Sequence, residues 1–244
     1  MSSFYVGYLH KAPWDIAHLV RRVVIALFTI VIVTAVVLIV AQRPFEKSAF
    51  EFTTVRTFEG VVEAKPYPTL AIHRPGTVSQ EQQYSRYLLV GVGKHGAEVA
   101  DYDGKTVKLR GKLIYRAEQT MIEVMPDSIH PTRVSAALMS STGGDYVRIR
   151  GEIVDSKCHT GVMNPGRGKV HRDCAVRCLS GGVPPVLIEE NVPNRLFLLT
   201  DADGKALDPA TFLDKVAEPV TVAGYLIRNG DRLELRAREI RRDH

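Results

Sequence analysis

Val220-Thr221-Val222-Ala223-Gly224-Tyr225-Leu226-Ile227, then Asn229-Gly230, then Leu233-Glu234-Leu235 is the stretch that decides the fold of this 244-residue chain. Apolar and polar residues alternate with the period of a half-buried strand. Asn-Gly between two such runs is a strong two-residue hairpin signal, with both turn positions expected at positive φ. Gly224 in mid-strand points to a bulge or a tight bend. The closing Arg236, Arg238, Arg241 and Arg242 interleave with Leu235, Ala237 and Ile240 as a last strand with a charged outer face. That reading outweighs a nucleic-acid patch, because the basic residues are spread along the chain and aromatics make up only 7% of it.

Working outward, the same pattern occurs twice. A first copy runs Phe58-Glu59-Gly60-Val61-Val62-Glu63-Ala64, then Tyr87-Leu88-Leu89-Val90-Gly91-Val92, then Val107-Lys108-Leu109-Arg110-Gly111-Lys112-Leu113-Ile114. The second runs Ile149-Arg150-Gly151-Glu152-Ile153-Val154-Asp155, then Arg195-Leu196-Phe197-Leu198-Leu199-Thr200, then the stretch quoted above. Gly60 aligns with Gly151 at an offset of 91, and Leu88 with Phe197 at an offset of 109. The second copy has therefore gained 18 residues between its first and middle strands. Asp208-Pro209 supplies an N-cap and a first helical residue, which predicts a short helix over 209–216. The small polar stretch 132–145 reads as a linker between copies at 55–130 and 147–242.

Each copy, with five strands and a helix before the final hairpin, resembles the OB fold. The pair is similar to small bacterial OB-type domains exported to the periplasm. The fold class expected is mainly β: one N-terminal transmembrane helix followed by two tandem OB-like five-stranded barrels.

The extra residues of the second copy carry every cysteine of the chain, Cys158, Cys174 and Cys178, inside a 21-residue window that also holds His171. Three sulfurs and an imidazole make a complete tetrahedral ligand set. Cys174 and Cys178 are i and i+4, on one face of a helical turn. Their α-carbons would be about 6 Å apart, near the long end for a disulfide. His171 reaches the same ion only if the helix starts after it, because a regular helix would put it about 10 Å from Cys178. Cys158 then closes the site from the end of a strand, across the Gly/Pro loop 164–169.

Three readings compete for this loop at 156–182. The first is a structural zinc held by Cys158, His171, Cys174 and Cys178. The second is a Cys174–Cys178 or Cys158–Cys174 disulfide or redox pair, which suits an oxidising compartment. The third is copper, for which soft sulfur ligands are suited. The Cys-x-x-x-Cys pair with a separate histidine resembles, in those three residues alone, the copper chaperones of cytochrome oxidase assembly. His159 is a substitute ligand if His171 points away, and Met163 reads as loop packing ahead of an axial copper ligand. An iron–sulfur cluster with one histidine is a further alternative. Covalent c-type haem is excluded, since no Cys-x-x-Cys-His occurs. Gly161-x4-Gly166 lacks the Lys-Ser/Thr of a phosphate loop, and no pair of carboxylates stands out as acid and base. His73, His95 and His130 read as exposed turn residues.

Residues 23–41 hold nineteen residues without a charge, about 28 Å of helix and close to the hydrocarbon thickness of a bilayer. The exit Val40-Ala41-Gln42-Arg43-Pro44 offers no small-x-small cleavage site, so the segment reads as an uncleaved anchor rather than a signal peptide. Counting positive charges gives a tie, Lys11, Arg21 and Arg22 before the segment against Arg43, Lys47 and Arg56 after it. Arg21-Arg22 abuts its start, however, which favours residues 1–22 in the cytoplasm and the bulk of the chain outside, in a bacterial periplasm. Tyr5, Tyr8 and Trp14 suit an interfacial belt.

Asp155-Ser156-Lys157-Cys158, Met163-Asn164-Pro165-Gly166, His171-Arg172-Asp173-Cys174-Ala175 and Gly181-Gly182-Val183-Pro184-Pro185 together resemble a pattern of uncharacterised bacterial membrane proteins that accompany periplasmic oxidoreductases. The resemblance implies a membrane redox context. The function expected is a non-catalytic, single-pass accessory subunit of an inner-membrane respiratory or oxidoreductase complex, bound to its integral-membrane and periplasmic subunits and to no nucleic acid. A copper or thiol-redox assembly factor and a periplasmic glycan-binding module are the alternatives.

Overall fold

A computed structural model describes residues 11–42, 47–76, 84–134, 143–192 and 194–243. Tyr5, Tyr8, the exit residues Arg43 and Pro44, and most of the expected linker lie outside these residues. The chain divides into two units, 1–45 and 46–244.

The first unit is one helix, α1 (Trp14–Ala41), which starts nine residues before the uncharged run and is long and apolar enough to cross a membrane. Pro13 precedes it, Asp15 sits in its first turn, and Trp14 stacks on His18 one turn later. No residue of α1 is buried by protein, as expected of a helix whose apolar surface is covered by something else.

Among the described residues the second unit holds twelve strands: β1 (Ser48–Phe50), β2 (Arg56–Glu63), β3 (Thr69–His73), β4 (Tyr84–Val90), β5 (Lys105–Arg116), β6 (Gln119–Val124), β7 (His130–Val134), β8 (Asp145–Asp155), β9 (Pro185–Glu189), β10 (Leu196–Thr200), β11 (Pro219–Asn229) and β12 (Arg232–Arg242). Strands β2, β3, β4, β6 and β5 close one barrel, and β8, β9, β10, β12 and β11 close the other in the same order. Each closes through a parallel pair, β4 with β6 and β10 with β12, so the two have one topology. The OB-like duplication is thus present. Strands β1 and β7 add to β5 outside the first barrel.

Several local readings change. Thr132 lies in β7 and Asp145 opens β8, so both ends of the expected linker are paired strand. The helix expected over 209–216 is two 3-10 turns, Pro209–Thr211 and Leu213–Lys215, although Asp208 does cap Ala210 N. The last hairpin turns on Gly230 and Asp231, because Asn229 pairs with Arg232. Only Gly230 of these has positive φ, at 64°. The matched bridges Val90–Gly96 and Thr200–Ala206 make Val90 the counterpart of Thr200, so Leu89 corresponds to Leu199. The middle strand is thus one residue out of the sequence alignment of Leu88 with Phe197.

Gly151 and Gly60 do correspond, and for a shared reason. A Cβ at Gly151 would fall 2.0 Å from the Ile188 carbonyl oxygen, and one at Gly60 2.6 Å from that of Ala71. Both mark the point where the first strand bends tightly over the second.

Each barrel has its own core: Val62, Leu70, Leu89, Leu109 and Ile122 in the first, Ile153, Leu187, Phe197, Leu199 and Phe212 in the second. Each such side chain contributes about 1.5–3 kcal/mol by leaving water. A third cluster joins Tyr67, Leu88, Ile114 and Met121 of the first barrel to Val154, Val186 and Leu198 of the second. Cys158, Cys178 and Val183 complete it. The two barrels therefore share a core, and the cysteine insert is part of it.

Candidate metal centre

The insert leaves the second barrel between β8 and β9, where the first barrel has only the five residues 64–68. Its start is fixed by Asp155, fully buried at the end of β8, whose Oδ1 accepts from Cys158 N at 2.8 Å. A π-helical turn, Cys158–Val162, follows. The loop returns through Gly168, whose N–H donates to Glu152 Oε1 at 2.5 Å. Burial raises the Glu152 pKa and this bond opposes the shift. A 3-10 turn, Lys169–His171, then leads into α2 (Arg172–Ser180). His171 thus precedes the helix, the condition the spacing set for reaching the same site as Cys174 and Cys178.

The ligand atoms of Cys158, His171 and Cys174 all lie within 4.8 Å of one another. Asp155, Cys158 and Cys178 form a second such group. The four expected ligands therefore meet at Cys158, in two overlapping groups rather than one mutually close set. Cys158 Sγ and Cys178 Sγ are 3.9 Å apart. Two thiolates on one tetrahedral zinc, with Zn–S near 2.3 Å, are about 3.8 Å apart, whereas a disulfide needs about 2.05 Å. All three cysteines are free, and the close pair is Cys158–Cys178, neither of the two pairings expected for a disulfide.

Asp155, at the head of the run Asp155-Ser156-Lys157-Cys158, is a further group at the site that the cysteine and histidine spacing does not announce. Its Oδ2 lies 2.8 Å from His171 Nε2, and both side chains are buried. A tautomer with the proton on Nε2 donates to Asp155 and leaves the Nδ1 lone pair for a metal. Carboxylates commonly orient metal-bound histidines in this way. The two close thiols are within hydrogen-bond reach of each other, and either can donate. That bond lowers the Cys178 pKa, and together with burial it raises that of Cys158.

The first barrel also reaches the site. Lys94, on the loop after β4, donates from Nζ to Cys174 Sγ at 3.1 Å, and this thiol raises the lysine's own pKa. Beside it, buried Lys157 donates to the carbonyls of Gly91 and Gly93, each at 2.7 Å, and pairs with buried Glu123 at 2.6 Å. Gly96 N donates to Gly181 O at 2.9 Å. These contacts bind the first barrel's β4 loop to both ends of the insert. No local spacing announces them, because Lys94 and Cys174 are eighty positions apart.

His159 does not join the cluster. It is buried, its pKa is lowered to about 3 chiefly by that burial, and its carbonyl accepts from Arg116 Nε at 2.6 Å. Met163 is 45% exposed on the loop. His73, His95 and His130 are exposed. Two thiols in contact, a third beside a lysine, and a histidine backed by a carboxylate can hold a soft or borderline cation, or exchange a proton and a disulfide among the sulfurs. Compared with known proteins, the chain matches no family, no curated protein and no solved structure.

Proposed function

We propose that the chain is a non-catalytic, membrane-anchored accessory subunit whose Cys/His insert holds one structural zinc ion. On this reading the ion is held by Cys158, His171, Cys174 and Cys178, with Asp155 orienting the imidazole. The observation that carries it is the membership of Cys158 and Cys178 in the apolar cluster shared by the two barrels. An ion there would brace the insert against that shared cluster, since all four ligands come from the insert and none from the first barrel. Zinc suits such a joint because it has no redox chemistry and a closed site adds folding energy where a loop lacks its own core. On this reading α1, which is long and apolar enough to cross a membrane, spans a bacterial inner membrane with its N-terminus inside and the barrels in the periplasm. Its partners are the integral and periplasmic subunits of a respiratory or oxidoreductase complex, which the braced pair of barrels docks. Elemental analysis of protein purified in mild detergent, with identification of what co-purifies, tests this. About one zinc per chain and a stable redox complex are expected. Metal-free native protein that purifies alone would end the proposal.

A second reading is favoured by one observation, the approach of Cys158 Sγ to within 3.9 Å of Cys178 Sγ. A copper or thiol-redox assembly factor would use that pair. It predicts a Cu(I) load, or a Cys158–Cys178 disulfide that forms and breaks under mild conditions, in place of zinc.

A further inference from the structure

A cleft of about 410 Å³ opens between the barrels, and none of the three cysteines lines it. Its floor is apolar, made by Leu88 and Met121 of the first barrel and Val186 of the second, all buried. Its polar wall contains arginines from both barrels, and their pairing does not balance. Arg74 pairs with Asp231 at 3.1 Å, Arg86 with Glu63 at 3.1 Å, and the neighbouring Arg236 with Glu234 at 3.1 Å. Arg232 is the third arginine of the lining, and among the described residues no carboxylate lies within ion-pair distance of it. Its one hydrogen bond among them runs from a terminal nitrogen to Thr69 Oγ1 at 3.0 Å, and its Nε is buried without an acceptor. Ser156, 2% exposed and lining the same cleft, has an Oγ without a partner among the described residues. Glu118 stands on the exposed β5–β6 turn at the rim.

A half-buried guanidinium stays charged, so leaving it without a counter-charge is costly. Burial accordingly lowers the Arg232 pKa, and the surrounding carboxylates, already bound to other arginines, only partly offset this. Unsatisfied buried polar groups in native proteins call for a specific explanation, a bound ion among them. The cleft is of the size that holds a small molecule, with an apolar floor and a few convergent polar groups.

We propose that this cleft binds a small organic anion, its oxyanion group on Arg232 near Ser156 and its apolar body against Leu88, Met121 and Val186. The guanidinium fork fits a carboxylate or a phosphate in the same way. Glu118 at the rim disfavours the reverse orientation, which would bring the charge toward solvent.

Calorimetric titration of the full chain in detergent micelles tests it with three probes: hexanoate, hexyl phosphate, and hexanamide as a neutral isostere. One saturable site is expected for an anion, with hexanamide about tenfold weaker or worse, the scale of losing a charge-assisted hydrogen bond. Whichever of hexanoate and hexyl phosphate binds more tightly identifies the oxyanion. Arg232→Gln should abolish the difference between hexanoate and hexanamide, and Ser156→Ala should weaken the anion several-fold. If Arg232→Gln does not fold, the probe comparison on the native chain decides. Equal binding of hexanoate and hexanamide, no saturable binding at millimolar concentrations, or full anion affinity in Arg232→Gln would each overturn the proposal.

Discussion

Lys94 Nζ, on the β4 loop of the first barrel, donates to Cys174 Sγ, on the helix of the insert, at 3.1 Å. The contact crosses from one barrel to the loop of the other. It sits over the one cysteine of the three that is not fully buried, since Cys158 and Cys178 are buried and Cys174 is half-buried.

Thiol labelling should follow that order. In chelator-treated protein, iodoacetamide should modify Cys174 first and leave Cys158 and Cys178 protected until unfolding. Lys94→Ala should change the Cys174 rate and leave the other two protected, because only Cys174 Sγ carries the lysine contact. Peptide mapping of the alkylated cysteines reads this directly, and equal labelling of all three would contradict the burial described above.

The Lys157–Glu123 pair makes a sharper stability prediction. Both groups are buried and belong to different barrels, so Lys157→Met alone strands a buried carboxylate and should cost about 3–5 kcal/mol. Pairing it with Glu123→Gln should restore part of the loss, since no lone charge then remains. Denaturant titration of the two variants distinguishes this from a simple packing defect, for which the double variant would be the worse.

Tyr67 should make stability fall in alkali. Burial pushes its phenol up to about 12, against its ordinary value near 10, and its oxygen accepts from Leu207 N–H across the barrels at 2.9 Å. Because the folded pKa is the higher one, the contribution is fully present below pH 10 and is lost as pH rises through about 12. The difference is about 2–3 kcal/mol. Tyr67→Phe should be less stable at neutral pH by about 1–3 kcal/mol, having left the Leu207 N–H without an acceptor. The gap between the two proteins should close as pH is raised from 10 to 12.

Gly151→Ala should be among the most damaging single changes in the second barrel. The added methyl meets backbone at 2.0 Å rather than a side chain that can swing away. A loss of about 3 kcal/mol or failure to fold is expected, the upper end for overpacking. Gly60→Ala, at 2.6 Å, should be milder.

For the anchor, a reporter active only outside the cytoplasm and fused after His244 should be active, with the protein in the membrane fraction and its N-terminus intact. A mature N-terminus just after Ala41 would show cleavage instead.

The outline of the fold was legible because its signals are local. Period-two alternation, Gly60 and Gly151, and an uncharged run of nineteen residues each act within one element. What failed was register. Strand β10, Leu196–Thr200, is buried at every position, so it has no polar face to distinguish one alignment from the next. A one-residue slip, which turns every side chain over, left no trace there. The Asn229-Gly230 turn slipped by one for a related reason: Asn229 is a buried strand residue, and Gly230 alone supplies the positive φ. The site divides the same way. The spacing of Cys158, His171, Cys174 and Cys178 lies within one loop and could be read. The roles of Lys94 and Glu123 depend on how the barrels meet, and the sulfur grouping around Asp155 depends on which way a buried carboxylate faces.

Strand β1 follows α1 in the chain, pairs antiparallel with the end of β5, and packs on the π-helical turn that begins at Cys158. A Cβ at Gly161 in that turn would fall 2.4 Å from the Ala49 carbonyl oxygen, so the two backbones are in direct contact. Tension applied through the tether at Ser48 is therefore borne first by three residue pairs, Ser48–Arg116, Ala49–Tyr115 and Phe50–Ile114, and by the turn beneath them. Under a pulling force the chain should yield at this seam, baring the backbone around Gly161 while both barrels are still closed.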